Sequence, residues 1–262
     1  MRDYFSLKNK VVIITGGAGL IGSAYVEACS HYGARVFIVD IKADETSKTI
    51  NKVINVQKNP HIYYQRCSIV KKDDIRKLIN VILKKFGKID ALVNNAYPRS
   101  KNWGKKYEQV TYEDFCENLN SHLGGYFLMT SEISKVMMKQ KSGVIINIGS
   151  HYGFAAPRFE IYEGTNMTMP VEYSAIKGGI INLSRYLASY LGKYNVRVNT
   201  LSPGGVFDNQ PKSFVKKYQE RVILGKRMAK VDDLAPVLIF LLSDASKYIT
   251  GQNIVVDGGW TL

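Results

Sequence analysis

Tyr173 and Lys177 are the two side chains whose types and spacing could do chemistry together, since residues four apart share one face of a helix. A tyrosine near its ordinary pKa of about 10 is a poor base at neutral pH, and bringing it to about 7 requires roughly 4 kcal/mol. A cation about 4 Å away supplies about 1 kcal/mol in bulk water and about 4 kcal/mol at an effective dielectric near 20. The pair can therefore move a proton only in a partly dry cleft, and other elements must build it. Tyr-x-x-x-Lys alone also occurs on ordinary solvated helix faces, so the rest of the chain carries the argument.

The apolar run Val11-Val12-Ile13-Ile14-Thr15 leads into Gly16-Gly17-Ala18-Gly19-Leu20-Ile21-Gly22 and then an apolar-periodic stretch to Tyr32. This reads as strand, tight turn and helix, the arrangement in which glycines let backbone approach a pyrophosphate held at a helix N-terminus. A second buried-strand pattern, Arg35-Val36-Phe37-Ile38-Val39, ends in Asp40, 18 positions after Gly22 (40 − 22). A carboxylate there accepts hydrogen bonds from the adenosine ribose hydroxyls and repels a 2′-phosphate, which favours NAD over NADP. Lys42 works against that preference, because a nearby cation accommodates a phosphate.

Periodicity predicts strands near residues 11–15, 35–39, 62–66, 91–94, 143–148, 196–201 and 253–256. Between them it predicts helices that include 72–86, 112–138, 173–191 and 231–242. Strands alternating with helices imply a parallel sheet covered on both faces, and each motif falls just after a strand or opens a helix.

With these motifs in order, the chain resembles the short-chain dehydrogenase/reductase family over essentially its whole length. The resemblance rests on Thr15 to Gly22, on Asn94-Asn95-Ala96, on Ile146-Asn147-Ile148-Gly149-Ser150, on Tyr173 with Lys177, on Pro203-Gly204, and on Asp257-Gly258-Gly259. It implies an α/β fold, a Rossmann-type doubly wound sandwich with a seven-stranded parallel sheet and helices on both faces. One NAD(P)-binding domain would span residues 1–262. By the same resemblance Ser150, Tyr173 and Lys177 are catalytic: Ser150 donates to the substrate oxygen, Tyr173 exchanges the proton, and Lys177 lowers the Tyr173 pKa and holds the nicotinamide ribose. Cofactor contacts would come from Gly16, Gly19, Leu20, Ile21 and Gly22, from Asp40, Ser68 and Ile69, from Asn95 and Ala96, and from Tyr173, Lys177, Pro203, Gly204 and Val206. The family also implies a homotetramer or homodimer joined through the helices near 112–138 and 173–191.

Departures from the family pattern are as informative. Leu20 stands where the single-domain branch usually has glycine, Ser68 at the usual aspartate, Tyr97 at the glycine of the Asn-Asn-Ala-Gly turn, and Asp208 at a hydroxyl position. Counting back from Gly125-Tyr126-Phe127 puts His122 at the place of the family's catalytic asparagine. We read His122 as a fourth catalytic residue in the proton relay, since a neutral imidazole offers both a donor and an acceptor. Asn120, two residues away, is turned by about 200° to another face.

The interval from Ser150 to Tyr173 is 23 positions (173 − 150), about ten longer than the family's spacing. An inserted active-site loop is therefore expected over about 151–172, with a substrate lid over about 205–226. Aromatic and polar residues of the insert and of the segment after the fourth strand, with Tyr97, Arg99, Tyr152 and Phe154 as substrate contacts, suit a polyhydroxylated substrate. This combination resembles bacterial oxidoreductases of flagellin modification and acidic-sugar biosynthesis. The expected activity is NAD-dependent interconversion of an alcohol and a ketone on a sugar, sugar phosphate or nucleotide-sugar. Two alternatives stand beside it: a 3-oxoacyl-carrier-protein reductase, and a dinucleotide-binding sensor without catalysis.

The composition is compatible with this reading. At 262 residues and 45% hydrophobic, the chain can bury the core of one α/β domain. No linker, repeat or long apolar run divides it, so a cytoplasmic protein without a membrane partner is expected. Cys29, Cys67 and Cys116 lack metal or disulfide spacing, and no metal site is expected. The net charge of +14 is spread over helical lysines and forms no basic block, which argues against nucleic acid as a partner.

Overall fold

The computed structural model describes residues 3–57 and 59–262. Strands β1 (Val11–Thr15), β2 (Arg35–Asp40), β3 (Ile62–Arg66), β4 (Ala91–Asn94), β5 (Gly143–Ile148), β6 (Val196–Pro203) and β7 (Asn253–Val256) alternate with helices. All pair in parallel, in the order β3-β2-β1-β4-β5-β6-β7. The order reverses between β1 and β4, and a crevice opens there at the carboxyl edge. The seven strands match the periodicity to within a residue or two at their ends.

Successive strand side chains alternate between two cores, as strand geometry requires. Val12 and Ile14 of β1 pack with α1 (Leu20–His31), α2 (Ala43–Gln57) and α8 (Val231–Leu242). Val11 and Ile13 face α3 (Lys72–Phe86), α5 (Gly125–Gln140) and α6 (Val171–Leu191). A third cluster lies beyond the sheet edge, where Tyr152, Ile161 and Tyr162 meet Phe214 and Tyr218 of α7 (Lys212–Arg221), Met228 and Trp260. Several of these residues line the crevice. Outside the cluster, Lys217 donates to the Glu160 carbonyl at 2.9 Å and Arg221 to the Glu160 carboxylate at 2.8 Å, tying α7 to the segment between Ser150 and Tyr173.

The segment expected as one helix over 112–138 is interrupted. It consists of α4 (Tyr112–Leu119), a π-helical turn at Asn120–Gly124, and α5. Thr111 caps α4 by accepting from the Asp114 amide at 3.1 Å. The wider turn carries His122 inward, and π-turns inside helices often mark functional positions. Behind the crevice a buried polar chain fixes the elements: Asn94 donates to Asn147 at 2.8 Å and to Thr130 at 3.0 Å, and Asn147 donates to Ser184 at 2.9 Å. One network thereby spaces β4, β5, α5 and α6.

Candidate active site

At the β1–α1 turn the backbone does the positioning. Gly16 has φ +64°, and a Cβ there would lie 2.7 Å from the Ala96 Cα. A Cβ on Gly22 would stand 2.1 Å from the Gly16 carbonyl oxygen, so a side chain at either position displaces the loop. Asn95 clamps that loop by donating to the carbonyls of Thr15 at 3.0 Å and Gly16 at 3.2 Å. The Thr15 hydroxyl in turn accepts from the amides of Asn95 and Ala96. No side chain caps the N-terminus of α1.

A cleft of about 670 Å³ runs from this turn, lined by Gly16, Gly19, Leu20, Ile21, Gly22, Asp40, Ser68, Ile69, Asn95, Ala96, Tyr173 and Val206. An uncapped helix start beside a tightly packed glycine turn, with a carboxylate at the far end, fits a dinucleotide. Asp40 accepts from the amides of Ala18 and Lys42, each at 3.1 Å, and so stands fixed at the end of β2. Lys42 is paired with Glu45 at 3.3 Å. The cation that could receive a 2′-phosphate thus already has a counter-charge.

The cleft joins a second cavity of about 470 Å³, lined by Ser150, Tyr173, Lys177, Pro203, Gly204 and Val206. Lys177 is buried, donates to the Ile148 carbonyl at 2.8 Å and lies 3.5 Å from His122 Nε2. Burial brings the Lys177 ammonium down to about 7. Burial also raises the Tyr173 pKa, against an opposing hydrogen bond with Ser150. The expectation that Lys177 depresses the Tyr173 pKa is therefore corrected for the protein alone. Desolvation is the largest effect on both groups. His122 is fully buried, edge-on to the rings of Tyr97 and Tyr126 at 5.3 and 5.1 Å between centroids. Burial, then the Lys177 charge, holds its pKa well below the ordinary histidine value, so it is a neutral imidazole at pH 7. Asn120 is exposed on another face of the turn.

Among the expected substrate residues, Tyr97 borders both cavities and touches the Tyr173 ring edge-on at 5.8 Å. Tyr152 lines the second cavity and accepts from the Tyr162 hydroxyl at 3.3 Å. Arg99 lines the dinucleotide cleft instead, with its guanidinium over the Tyr97 ring at 5.2 Å. Phe154 lines neither cavity and is exposed. Gly153 packs so closely on α6 that a Cβ there would lie 2.7 Å from the Lys177 carbonyl, and the chain turns Phe154 outward.

Tyr162, one of the aromatic residues of the segment after Ser150, lines the cavity as well; His151, Gln210, Phe214, Tyr218 and Met228 also line it and were not singled out in the sequence. His151 carried one available signal, its position directly after Ser150. Tyr218 and Met228 sit in segments with no motif. Trp260 reaches the cluster because Gly258 and Gly259 take φ +65° and +79°, a tail conformation that the Asp257 carboxylate holds by accepting from Gly259 and Thr261.

Comparison with known proteins agrees with this geometry. Residues 17–261 match the family model described as enoyl-(acyl carrier protein) reductase. The chain is 40% identical over 257 residues to post-translational flagellin modification protein A of Campylobacter coli, covering 98% of this chain and 100% of that one. It is 33% identical over 259 residues to a probable galactose dehydrogenase of Rhizobium meliloti, covering 97% and 95% of the two chains. A short-chain dehydrogenase from Leptospira borgpetersenii, solved with bound NAD+, superposes with a TM-score of 0.88 at 31% identity, over 100% of this chain and 97% of that one. A dinucleotide cleft at the switch point, a serine, tyrosine and lysine at its inner end, and matches along nearly the whole chain make this protein a member of the short-chain dehydrogenase/reductase family, an NAD(P)-dependent oxidoreductase acting on CH–OH groups.

Proposed function

We propose that the protein uses NAD(H) to interconvert an alcohol and a ketone on a carbohydrate or polyol, in the modification of flagellin or another surface glycan. The observation that carries this reading is the lining of the second cavity. Aromatic faces of Trp103, Tyr152, Tyr162 and Tyr218 alternate there with the polar groups of Asn166, Thr168 and Gln210. Among the described residues no Arg, Asp or Glu side chain lines it, and Lys177, which the cofactor ribose would engage, is its only cation. The part of the substrate inside is then uncharged and hydroxylated, since an enclosed phosphate or carboxylate would lose water without gaining a counter-ion of its own. A phosphate or nucleotide, if carried, stays outside the cavity. The flagellin-modification and galactose-dehydrogenase relatives agree with this chemistry.

The bound dinucleotide supplies hydride acceptance or donation at the substrate carbon. The chain's own groups handle the oxygen. Ser150 donates to it as negative charge develops, and Tyr173, protonated in the protein alone, gives its proton in the reductive direction and recovers it in the oxidative one. Lys177 binds the nicotinamide ribose from its buried post on the Ile148 carbonyl. His122 accepts a hydrogen bond from Lys177 and serves as the relay group behind it. Asp40 and the Lys42–Glu45 pair favour NAD over NADP.

The test is absorbance of reduced nicotinamide while purified protein is offered NAD+ with neutral sugars and polyols. Oxidation of at least one of them supports the reading, and turnover restricted to 3-oxoacyl thioesters overturns it. That second reading draws on a relative from Thermotoga maritima, a 3-oxoacyl-carrier-protein reductase 31% identical to this chain, and on exposed lysines Lys212 and Lys216 of α7. Retention on immobilised acyl carrier protein would favour it. Turnover of any carbonyl substrate removes a purely sensory role.

Exposed Phe127 on α5 and the stacked, exposed pair Tyr186 and Tyr190 on α6 support a homodimer or homotetramer formed through these helices. Light scattering at micromolar concentration tests it, a monomer being the refuting result. No helix among the described residues is long and apolar enough to cross a membrane. A cytoplasmic site of action is part of the same proposal.

A further inference from the structure

His151 follows Ser150 directly, lines the same cavity and is 2% exposed. Its Nδ1 lies 3.2 Å from the Pro203 carbonyl oxygen. A carbonyl only accepts, so Nδ1 carries the hydrogen, and a neutral ring then leaves Nε2 with a free lone pair. That nitrogen is buried and has no partner. The ring cannot easily turn away, because Tyr152 and Trp260 pack on it at 4.0 and 4.7 Å between centroids. Leaving a buried acceptor unsatisfied costs roughly 1–3 kcal/mol, so the Nε2 lone pair asks for a hydrogen-bond donor. A hydroxyl supplies one. A carbonyl, carboxylate or phosphate oxygen without a proton cannot.

We infer that His151 Nε2 accepts a hydrogen bond from a second hydroxyl of the substrate, next to the carbinol held by Ser150 and Tyr173. The inference rests on the polyol reading above and sharpens it: the reacting unit is a diol in one direction and a hydroxyketone in the other. His151 is then the residue that separates such substrates from simple alcohols of the same ring size.

The first arm of the test compares trans-1,2-cyclohexanediol with cyclohexanol as substrates in the presence of NAD+. Wild-type protein should favour the diol about tenfold in kcat/KM, the value of one net neutral hydrogen bond. In His151→Phe, which keeps a ring but loses the acceptor, that ratio should fall toward one, and His151→Gln should restore part of it. An equal loss on both alcohols means the ring only packs, and overturns the inference. The second arm follows the Nε2 resonance of wild-type protein carrying 15N-labelled histidine, saturated with NAD+ and titrated with the same diol. An upfield shift marks the lone pair engaging a donor. A resonance that does not move, or one already shifted without diol because water fills the place, also overturns it. This arm needs neither turnover nor a folded variant. If wild-type protein oxidises neither alcohol yet the resonance shifts, the polyol oxidation fails and the hydroxyl site stands.

Discussion

The two halves of the cleft are built by different means. In the dinucleotide half, backbone does the work: a glycine turn too tight for a Cβ, an uncapped helix start and one carboxylate at a strand end, all within 30 residues of one another in the chain apart from the Asn95 clamp. In the substrate half, side chains do it, and they come from the segments around residues 97–104, 148–170, 203–218 and 228, with Trp260 behind them. Backbone recognition tolerates little variation because the geometry of the turn is itself the site. An assembly of side chains can change partner by partner, in keeping with relatives that include a probable galactose dehydrogenase, a glycerol dehydrogenase, a 7α-hydroxysteroid dehydrogenase and a 3-oxoacyl-carrier-protein reductase. Tyr173, Lys177 and His122 lie along the seam.

At the seam, loss of the Tyr173 hydroxyl should affect chemistry without loosening the dinucleotide, whereas Lys177→Ala should damage both. Tyr173→Phe is expected to lower turnover by about 10²- to 10⁴-fold, the usual contribution of a positioned acid or base, while fluorescence titration of NADH is unchanged. Near-full turnover in that variant would place the proton donor elsewhere.

Lys177 gives the largest expected effect on stability. Its folded pKa of about 7 lies below the ordinary 10.5, so between these values the unfolded chain binds more protons than the folded one. Stability from this group therefore rises with pH from about 7 to about 10.5 and is lost as pH falls through that window. The upper limit is about 5 kcal/mol (3.5 × 1.36). In urea denaturation without cofactor, Lys177→Met should be more stable relative to wild type at pH 7 than at pH 10. A difference that does not narrow with rising pH would mean that burial does not depress the Lys177 pKa. His151, with its pKa lowered to about 4, adds the same sign at lower pH: its stability contribution is present above about 6.5 and lost on descending to about 4.

On the dinucleotide side, NAD(H) should bind at least tenfold more tightly than NADP(H), because opposing a 2′-phosphate to Asp40 costs as like charges do. Asp40→Ser should narrow that gap. Tighter binding of NADP(H) by wild-type protein would show that Lys42 dominates despite Glu45.

The smallest effect concerns His122. His122→Asn should stay active with a changed pH–rate profile, and His122→Ala should lose about tenfold, less than the roughly 10²- to 10⁴-fold of a group that meets the substrate, because His122 acts behind Lys177. An alanine variant that matches wild type from pH 6 to 9 would leave the relay to other groups.

The sequence by itself determined the sheet, the glycine turn, Asp40 and the order of Ser150, Tyr173 and Lys177. These features depend on local periodicity and on short spacings that one strand or one helix enforces. It also located His122 at a family position, but the π-turn that breaks the expected helix was not visible, since a single turn of different pitch leaves the apolar pattern almost unchanged. The packing of α7 beside the second cavity, the meeting of Trp260 with His151, the outward turn of Phe154 and the shift of Arg99 to the dinucleotide side were decided only in three dimensions. They arise from contacts across as many as 109 positions, such as His151 to Trp260 (260 − 151), whose residues carry no periodic or spacing signal in the chain. The protonation of the site was decided there too. Desolvation depends on everything packed around a group, and for Tyr173 and Lys177 it outweighs the pairwise attraction that their spacing suggests.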